Sequence, residues 1–360
     1  MDNNNYFLQR QLDTEFKIND LLKTLPSFAE EFFVGIQPTT SSLTRLGYAR
    51  DLNIFFNFIY NNISSFNGLN NKSFKINHLR EITSFDIEKF LSYLSSYIHN
   101  GKQFANSQST KSRKLACIKS FFKYFYNKNM LDNDPASKVK MPKINEKPIV
   151  RLNNQETIEV IKTVEDGGIG LTNRQKEYYK KTKYRDIAII TLFLGTGIRI
   201  SELVGLNIDD FDFANSAFKV TRKGGNQSIL YYNNDVSIAI QDYLNSRNSE
   251  KISPDEKALF LSLQNKRITV RAVEQLVKKY TSLVAPLKNI SPHKLRSTFG
   301  TNLYRETRDI YVVAELLGHK DINITKKHYA DISEDIKKTA SNKVNLRENN
   351  MKIENNIDED

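Results

Sequence analysis

Hydrophobic residues recur at intervals of three and four along most of the chain, which is typical of amphipathic helices. In the first third of the chain, this spacing predicts three helices. Their apolar positions are Leu43, Leu46, Leu52, Phe55, Phe56 and Ile59; Ile87, Phe90, Leu91, Leu94 and Ile98; and Leu115, Ile118, Phe121, Phe122 and Phe125. We therefore expect a small helical domain over residues 40–131, preceded by an N-terminal extension at 1–39.

The segment 132–150 interrupts this pattern. It contains three of the eight prolines, Pro135, Pro142 and Pro148, with lysines between them. Closely spaced prolines resist helix and sheet formation and keep a chain extended, so we predict a basic linker. Such a connector suits a clamp around a charged rod, and it equally suits an ordinary tether.

Apolar spacing after the linker predicts a second domain, residues 151–345, that is also mainly helical. One helix should run from Asn153 or Asn154 to about Val164. A strongly apolar helix should begin at Asp186 and end at the glycine-containing turn 195–197.

A β-hairpin is predicted within this second domain. Residues 217–221 and 228–232 alternate apolar and polar side chains around the turn 222–226, which places Lys223 at the hairpin tip. The remainder to about Lys343 should be helical, and the acidic tail 346–360 disordered. The fold class is therefore mainly α with a small β-sheet.

Candidate chemistry lies near the start of one of these later helices. Ser291 is expected to cap the helix, with Pro292 at its first position. His293 and Arg296 then share one face, which we expect to point away from the core. The positive end of the helix dipole would lie beside them, so this pair is suited to an anion.

Two further residues complete the candidate set near the C-terminus. The next helix should run to about Leu317 and stop at Gly318, which places His319 in the following turn. Ten residues later comes Tyr329. A Gly-His after a helix is often only a cap, so the conjunction of these groups carries the prediction.

Charge and composition narrow the class of partner. The 360 residues include 53 Lys and Arg against 41 Asp and Glu, giving a net charge of +12 and a pI near 9.4, as expected for a polyanionic partner such as DNA. The most apolar run, residues 187–194, is too short to cross a membrane, and the N-terminus resembles no signal peptide, so we expect a cytoplasmic protein without membrane insertion. The single cysteine, Cys117, excludes a disulfide framework and should be a small packed residue.

Basic residues of the third helix and the linker are candidates for phosphate contacts. Such contacts supply salt-dependent affinity that does not depend on DNA sequence. The candidates are Lys111, Arg113, Lys114, Lys119, Lys138 and Lys140. On the helix alone, a solvated charged face explains the pattern equally well.

The candidate groups fit one reaction, the attack of an oxygen nucleophile on a phosphodiester. Guanidinium groups of Arg199 and Arg296 would hold the charge that develops on the non-bridging oxygens. Tyr329 would be the nucleophile; its phenol, with a pKa of about 10, needs a base and a positive field. His293 can move that proton, and Lys223 can protonate the leaving 5′ oxygen.

His319 would donate to a phosphoryl oxygen. No pair of carboxylates with metal-site spacing accompanies these groups, so the arginines would take the place of the metal that many nucleases use. We therefore expect no cofactor and no metal.

Five motifs, in this order and at these separations, resemble the motif set of the tyrosine recombinases, the integrase family. They are Thr196-Gly-Ile-Arg-Ile-Ser-Glu-Leu, Arg222-Lys-Gly-Gly, His293-Lys-Leu-Arg, Leu316-Leu-Gly-His and Tyr329-Ala. The resemblance covers about residues 40–340. Segments 138–156 and 170–185 are most similar to single-protein Xer recombinases of the XerS type.

The resemblance implies an N-terminal helical core-binding (SAM-like) domain and a C-terminal catalytic domain that grip double-stranded DNA as a C-shaped clamp. It also implies a 3′ phosphotyrosine intermediate, a homo-tetramer on two duplexes, and chemistry without metal or ATP. A septal DNA translocase of the FtsK type is a further expected partner. Carried over residue by residue, the catalytic set is Arg199, Lys223, His293, Arg296, His319 and the nucleophile Tyr329, with Glu202 orienting the first arginine.

Two positions depart from the family pattern. Ser297 stands where many relatives have a second histidine, and Tyr329 lies one residue further from His319 than in the commonest spacing. His328 occupies the nearer place, but a histidine cannot form the phenol ester. We therefore keep Tyr329 as the nucleophile.

Three alternatives to an Xer-type recombinase remain open from the sequence. An integrase of a mobile element commonly has an extra N-terminal arm-binding domain, for which residues 1–39 are short. A type IB topoisomerase would use similar groups to relax a single duplex. A DNA-binding regulator that had lost catalysis would be expected to have lost part of the motif set, and every essential group is present.

Overall fold

The computed structural model describes residues 6–99, 101–145, 149–168, 172–222, 225–247, 253, 256–318 and 321–322. The chain divides into two compact units, residues 1–147 and 148–360, and the division falls within the predicted linker. The expected tail at 346–360 lies outside the described residues. Among those that are described, no helix combines the length and the apolar character needed to cross a membrane.

The first unit is built mainly from helices. They are α1 (Tyr6–Leu22), α2 (Ala29–Ile36), α3 (Ser42–Asn62), α4 (Ile76–Glu81), α5 (Ser84–Tyr93) and α6 (Gln108–Asn127), with 3-10 turns at Ser64–Phe66 and Pro135–Lys138. Strands β1 (Tyr97–His99) and β2 (Lys102–Phe104) form a short antiparallel hairpin.

Aromatic side chains from α2, α3, α5 and α6 form the core of this unit. Phe32 meets Phe121 edge to face at a ring separation of 5.1 Å, and Phe55 meets Phe90 in the same way at 5.2 Å. Such pairs contribute about 0.5–1.5 kcal/mol beyond the burial of their area. The predicted inner positions of α6 are all buried, as is Cys117, which confirms both expectations.

The packing of the first unit extends beyond the boundaries expected from the sequence. Ile18 of α1 and Phe32 of α2 are buried in the same core as α3 and α6, so the segment before residue 40 is not a separate extension. Pro135 and Val139 are also buried against it, so the first part of the predicted linker is packed rather than extended. Ile98, expected on an inner helical face, lies in β1 and is 70% exposed.

The second unit is helical with one small sheet. Its helices are α7 (Asn154–Asp166), α8 (Asn173–Thr196), α9 (Ile200–Gly205), α10 (Asn234–Ser246), α11 (Val270–Val284), α12 (Pro292–Thr307) and α13 (Ile310–Leu317). Strands β3 (Phe211–Asp212), β4 (Ala217–Thr221) and β5 (Gln227–Tyr231) form an antiparallel sheet in that order. The register pairs Ala217 with Tyr231 and Thr221 with Gln227, which confirms the predicted hairpin to within one residue.

Helix α8 is the central helix of this unit and contacts α7, α10 and α12. It begins at Asn173, thirteen residues before the predicted start at Asp186. Thr172 caps it by accepting a hydrogen bond from the Gln175 N–H, and the Gln175 side chain accepts one from the Thr172 N–H. The first turns of α8 are largely exposed, so they lack the apolar stripe on which the prediction depended.

Candidate active site

The turn after α8 brings three helices together. Gly197 has a φ of 61°, in the left-handed region that favours glycine. A Cβ at this position would overlap the Phe299 ring of α12 and come within 3.1 Å of Leu317 Cδ2 of α13. A larger residue here would therefore separate the end of α8 from the two helices that complete the site.

Arg199 lies two residues after that turn and is held by Glu202. The two Glu202 oxygens accept from the Arg199 backbone N–H at 3.0 Å and from Arg199 Nη1 at 2.8 Å. The Glu202 side chain is only 3% exposed, whereas that of Arg199 is 36% exposed. The carboxylate thus orients a guanidinium that remains open on one side, which supports the role predicted for Glu202.

Arg296 reaches the same place from α12. Its Nη1 donates to the Gly197 carbonyl at 2.6 Å, and its Nη2 donates to the Leu317 carbonyl. Arg199 Nη2 also donates to the Leu317 carbonyl, at 3.3 Å. Two guanidinium groups that are 97 positions apart in the sequence therefore converge on the C-terminal end of α13, the negative end of its dipole.

The position of Arg296 corrects one expectation. This side chain was predicted to point away from the core with His293, yet Arg296 is only 5% exposed. His293 lies at the surface as expected. The helix begins at Pro292 as predicted, but the Ser291 side chain forms no capping hydrogen bond. The Ser291 carbonyl instead accepts from the N–H groups of Lys294 and Leu295.

His293 lies within the electrostatic field of both arginines. Protein atoms around the imidazole displace water from it, and the positive charges of Arg296 and Arg199 add to that effect, so the pKa of His293 is lowered from its usual 6.5. The ring is therefore neutral near pH 7. A neutral imidazole can accept a proton, as the predicted role requires.

A third arginine, Arg222, reaches the site, and the sequence reasoning did not assign it a role. It follows β4, and its guanidinium packs against Gly318, the residue that ends α13. Burial lowers the pKa of Arg222; Glu202 opposes this shift and Arg199 adds to it. The only sequence signal was its place beside Lys223 in the hairpin turn.

Three predicted catalytic residues, Lys223, His319 and Tyr329, lie outside the described residues. Their neighbours Arg222 and Gly318 are described and are in contact. Their roles remain predictions. Within the described ranges, no group of three or more His, Cys, Asp or Glu side chains is placed to hold a metal ion.

The predicted DNA-contacting residues of α6 are not equivalent. Lys114 is only 4% exposed, and its Nζ donates to Asp51 at 2.8 Å, so the prediction that it lies on the outer surface is wrong. Arg113 Nη2 donates to the same carboxylate at 2.8 Å, but the Arg113 side chain is 53% exposed. The Lys114 side chain points inward because it pairs with buried Asp51 of α3. The spacing of apolar residues along α6 does not reveal this partner.

The other four candidates remain available at the surface of the first unit. Lys111 Nζ lies 2.7 Å from the Ser95 hydroxyl, and Lys119 Nζ lies 3.2 Å from the Ser137 carbonyl. Lys138 and Lys140 are exposed.

Comparison with known proteins adds to this geometry. Residues 169–335 match the family described as the phage integrase family. The chain is 32% identical over 299 residues to tyrosine recombinase XerC of Thermodesulfovibrio yellowstonii, covering 81% of this chain and 87% of that protein. It is 30% identical over 359 residues to tyrosine recombinase XerS of Streptococcus thermophilus, covering 92% and 99%.

The fold is also similar to that of a solved structure, the Tn1549 transposon integrase in complex with circular intermediate DNA. The TM-score is 0.62 with 21% sequence identity, and the match covers 86% of this chain and 97% of that one. At this identity the likeness concerns the fold alone.

The family match and the two relatives, together with this fold, show an enzyme that breaks and rejoins DNA through a tyrosine intermediate. The chain belongs to the tyrosine recombinases of the phage integrase family. It is a site-specific recombinase, and the predicted family and fold class are confirmed.

Proposed function

We propose that this chain recombines double-stranded DNA at a specific site as an Xer-type recombinase that resolves chromosome dimers. The observation that carries this proposal is the convergence of Arg199 and Arg296 on the Leu317 carbonyl, next to Gly318 and two residues before His319. The similarity to XerS along 92% of the chain supports the Xer-type assignment over a mobile-element integrase.

In the proposed reaction, the Tyr329 oxygen attacks the scissile phosphorus. A bond forms between that oxygen and phosphorus while the bond from phosphorus to the 5′ oxygen breaks, which leaves DNA joined to the enzyme through its 3′ phosphate. His293 accepts the phenolic proton, and Lys223 supplies a proton to the leaving 5′ oxygen. Arg199 and Arg296 stabilise the added negative charge on the phosphoryl oxygens, and His319 donates to one of them.

We further propose that four protomers act on two duplexes, in the cytoplasm, with a septal DNA translocase of the FtsK type as a partner. Surface cations of the first unit would bind DNA phosphates without reading sequence. These are Lys111 and Lys119, which are partly exposed, and Lys138 and Lys140, which are exposed. Affinity should therefore fall steeply as salt rises.

The test of this function is a nicked duplex containing the target site, on which cleavage traps the covalent adduct. We expect Tyr329→Phe to bind this DNA as the wild type does and to form no covalent adduct, because phenylalanine lacks the attacking oxygen. Tyr311→Phe is the matched control, since Tyr311 is 67% exposed on α13, and it should retain the adduct.

An adduct that persists in Tyr329→Phe would remove Tyr329 from its role. Sequencing the DNA joined to the wild-type protein would then separate the two biological settings. A site near the replication terminus would support dimer resolution, and a site beside the gene itself would indicate a mobile element.

A further inference from the structure

The Arg222 guanidinium lies where any side chain at position 318 would have its Cβ, so glycine is needed there. Gly318 ends α13 with a φ of 59°. A Cβ added there would overlap Nη1 and Cζ of Arg222 and come within 3.0 Å of Nη2. The guanidinium is therefore packed directly on the backbone of Gly318.

The same side chain has an unused donor. Arg222 Nε is buried and has no hydrogen-bond partner in the part of the chain that the structure describes. A buried N–H without an acceptor costs about 1–3 kcal/mol, more for a charged group, so a substrate oxygen that draws this guanidinium out of its packed position would relieve that cost.

The surroundings of Arg222 favour an anion as that acceptor. Arg199 and Glu202 both lie close enough to influence it electrostatically, and Glu202 is already engaged by two hydrogen bonds from Arg199. Within the described residues, Arg199 and Arg222 therefore share the influence of this carboxylate, and Arg199 already engages both of its oxygens. A phosphodiester would supply an acceptor for the Arg222 N–H groups together with negative charge.

We propose that Arg222 is a further catalytic residue, a third guanidinium that binds a non-bridging oxygen of the scissile phosphodiester beside Arg199 and Arg296. This assignment rests on the proposed function and adds a residue to the same reaction. Arg222 forms and breaks no covalent bond in this role. It donates N–H groups to oxygen atoms whose negative charge grows as the Tyr329 oxygen adds to phosphorus.

The experiment compares two nicked duplexes, one with the natural scissile phosphate and one with a methylphosphonate, in which a neutral methyl group replaces one charged oxygen. On the natural phosphate, we expect Arg222→Ala to slow adduct formation about 10²-fold, the usual effect of losing one donor to a developing oxyanion. Its affinity for the duplex should stay within about threefold of the wild-type value, because many other phosphate contacts remain. On the methylphosphonate, Arg222→Ala should form adduct within about threefold of the wild-type rate, because the charge to be neutralised is gone.

Lys219→Ala is the matched control, since it removes a half-exposed cation from β4, the strand that precedes Arg222. It should behave as the wild type on both duplexes. Arg222→Lys, which retains charge without the guanidinium fork, is the second variant if Arg222→Ala does not fold, and it is judged by the same comparison of the two substrates.

Natural-phosphate cleavage at the wild-type rate in Arg222→Ala would overturn the proposal. An equal deficit on both duplexes, or no cleavage of the methylphosphonate by the variant, would also overturn it and leave Arg222 as a packing residue of the hairpin. A wild-type protein that formed no adduct on the natural phosphate would instead refute the proposed function, and this inference with it.

Discussion

Two clusters of buried or half-buried cations, one in each unit, use the same residue types for different ends. On α6, Arg113 and Lys114 both contact the carboxylate of Asp51, which is 2% exposed. At the end of α13, Arg296 donates to the carbonyl oxygens of Gly197 and Leu317, and the Arg199 side chain beside it is 36% exposed. The Asp51 cluster holds two helices of the first unit together, whereas the arginine cluster leaves the Arg199 guanidinium open on one side, as the proposed phosphate binding requires.

A basic residue predicts a DNA contact only when its charge remains available. Lys114 and Lys138 look alike in the sequence, and both were predicted to bind DNA. Their environments separate them, because Lys114 faces a buried acid and Lys138 faces solvent. Four measurements test this distinction.

The largest effect is expected at the arginine cluster. Arg296→Ala should slow adduct formation about 10³-fold, because it removes a fixed donor from the charge that develops on the phosphate. Binding to the intact target should change little. Single-turnover cleavage and a gel-shift titration would measure the two quantities. A variant that lost both equally would place Arg296 in general DNA binding rather than in the chemistry.

The next effect concerns stability in the Asp51 cluster. Lys114→Ala should lower the free energy of unfolding by about 3 kcal/mol, because one partner of a buried ion pair is removed. Denaturant unfolding would measure it. Lys123→Ala, an exposed lysine on the same helix, should stay within about 0.5 kcal/mol of the wild type. An unchanged stability in Lys114→Ala would contradict the structural role of the pair.

A smaller effect is expected in the titration of His293. Its lowered pKa means that the unfolded chain, with a pKa near 6.5, binds this proton first as the pH falls. The contribution of His293 to stability is therefore present above pH 6.5 and lost as the pH falls below it. The chemical shifts of the His293 ring protons, followed by NMR as the pH is changed, should give a pKa below 6.5 for His293 in the wild type. Arg199→Gln removes one positive neighbour and should raise the pKa of His293. An unchanged pKa would show that the charge of Arg199 does not act on His293.

The smallest effect is expected at the exposed cations. Lys138→Ala should weaken binding to specific and unrelated DNA alike and reduce the salt dependence of the binding constant by about one phosphate contact. Its unfolding free energy should not change. Affinities measured over a series of salt concentrations would test this. A loss confined to the specific target would indicate sequence reading by Lys138 instead.

Features that depend on local chemistry were predictable from the chain. The start of α12 at Pro292 and the end of α13 at Gly318 follow from the restricted backbone of proline and the freedom of glycine. The register of the β4–β5 hairpin follows from alternation of side chains. The exposed start of α8 was not predicted. Its first turns are held by the Thr172 cap and by the buried second half of the same helix, so they need no apolar stripe of their own.

Motif order and spacing were enough to establish the family and to nominate Arg199, Glu202, His293 and Arg296, because each motif combines a local backbone requirement with a specific chemical group. Their arrangement required the folded chain. The burial of Arg296, the inward turn of Lys114 and the packing of Arg222 on Gly318 each depend on a partner that is distant in sequence. The direction of a long charged side chain is set by the nearest acceptor and by desolvation, and both arise only when remote segments pack together.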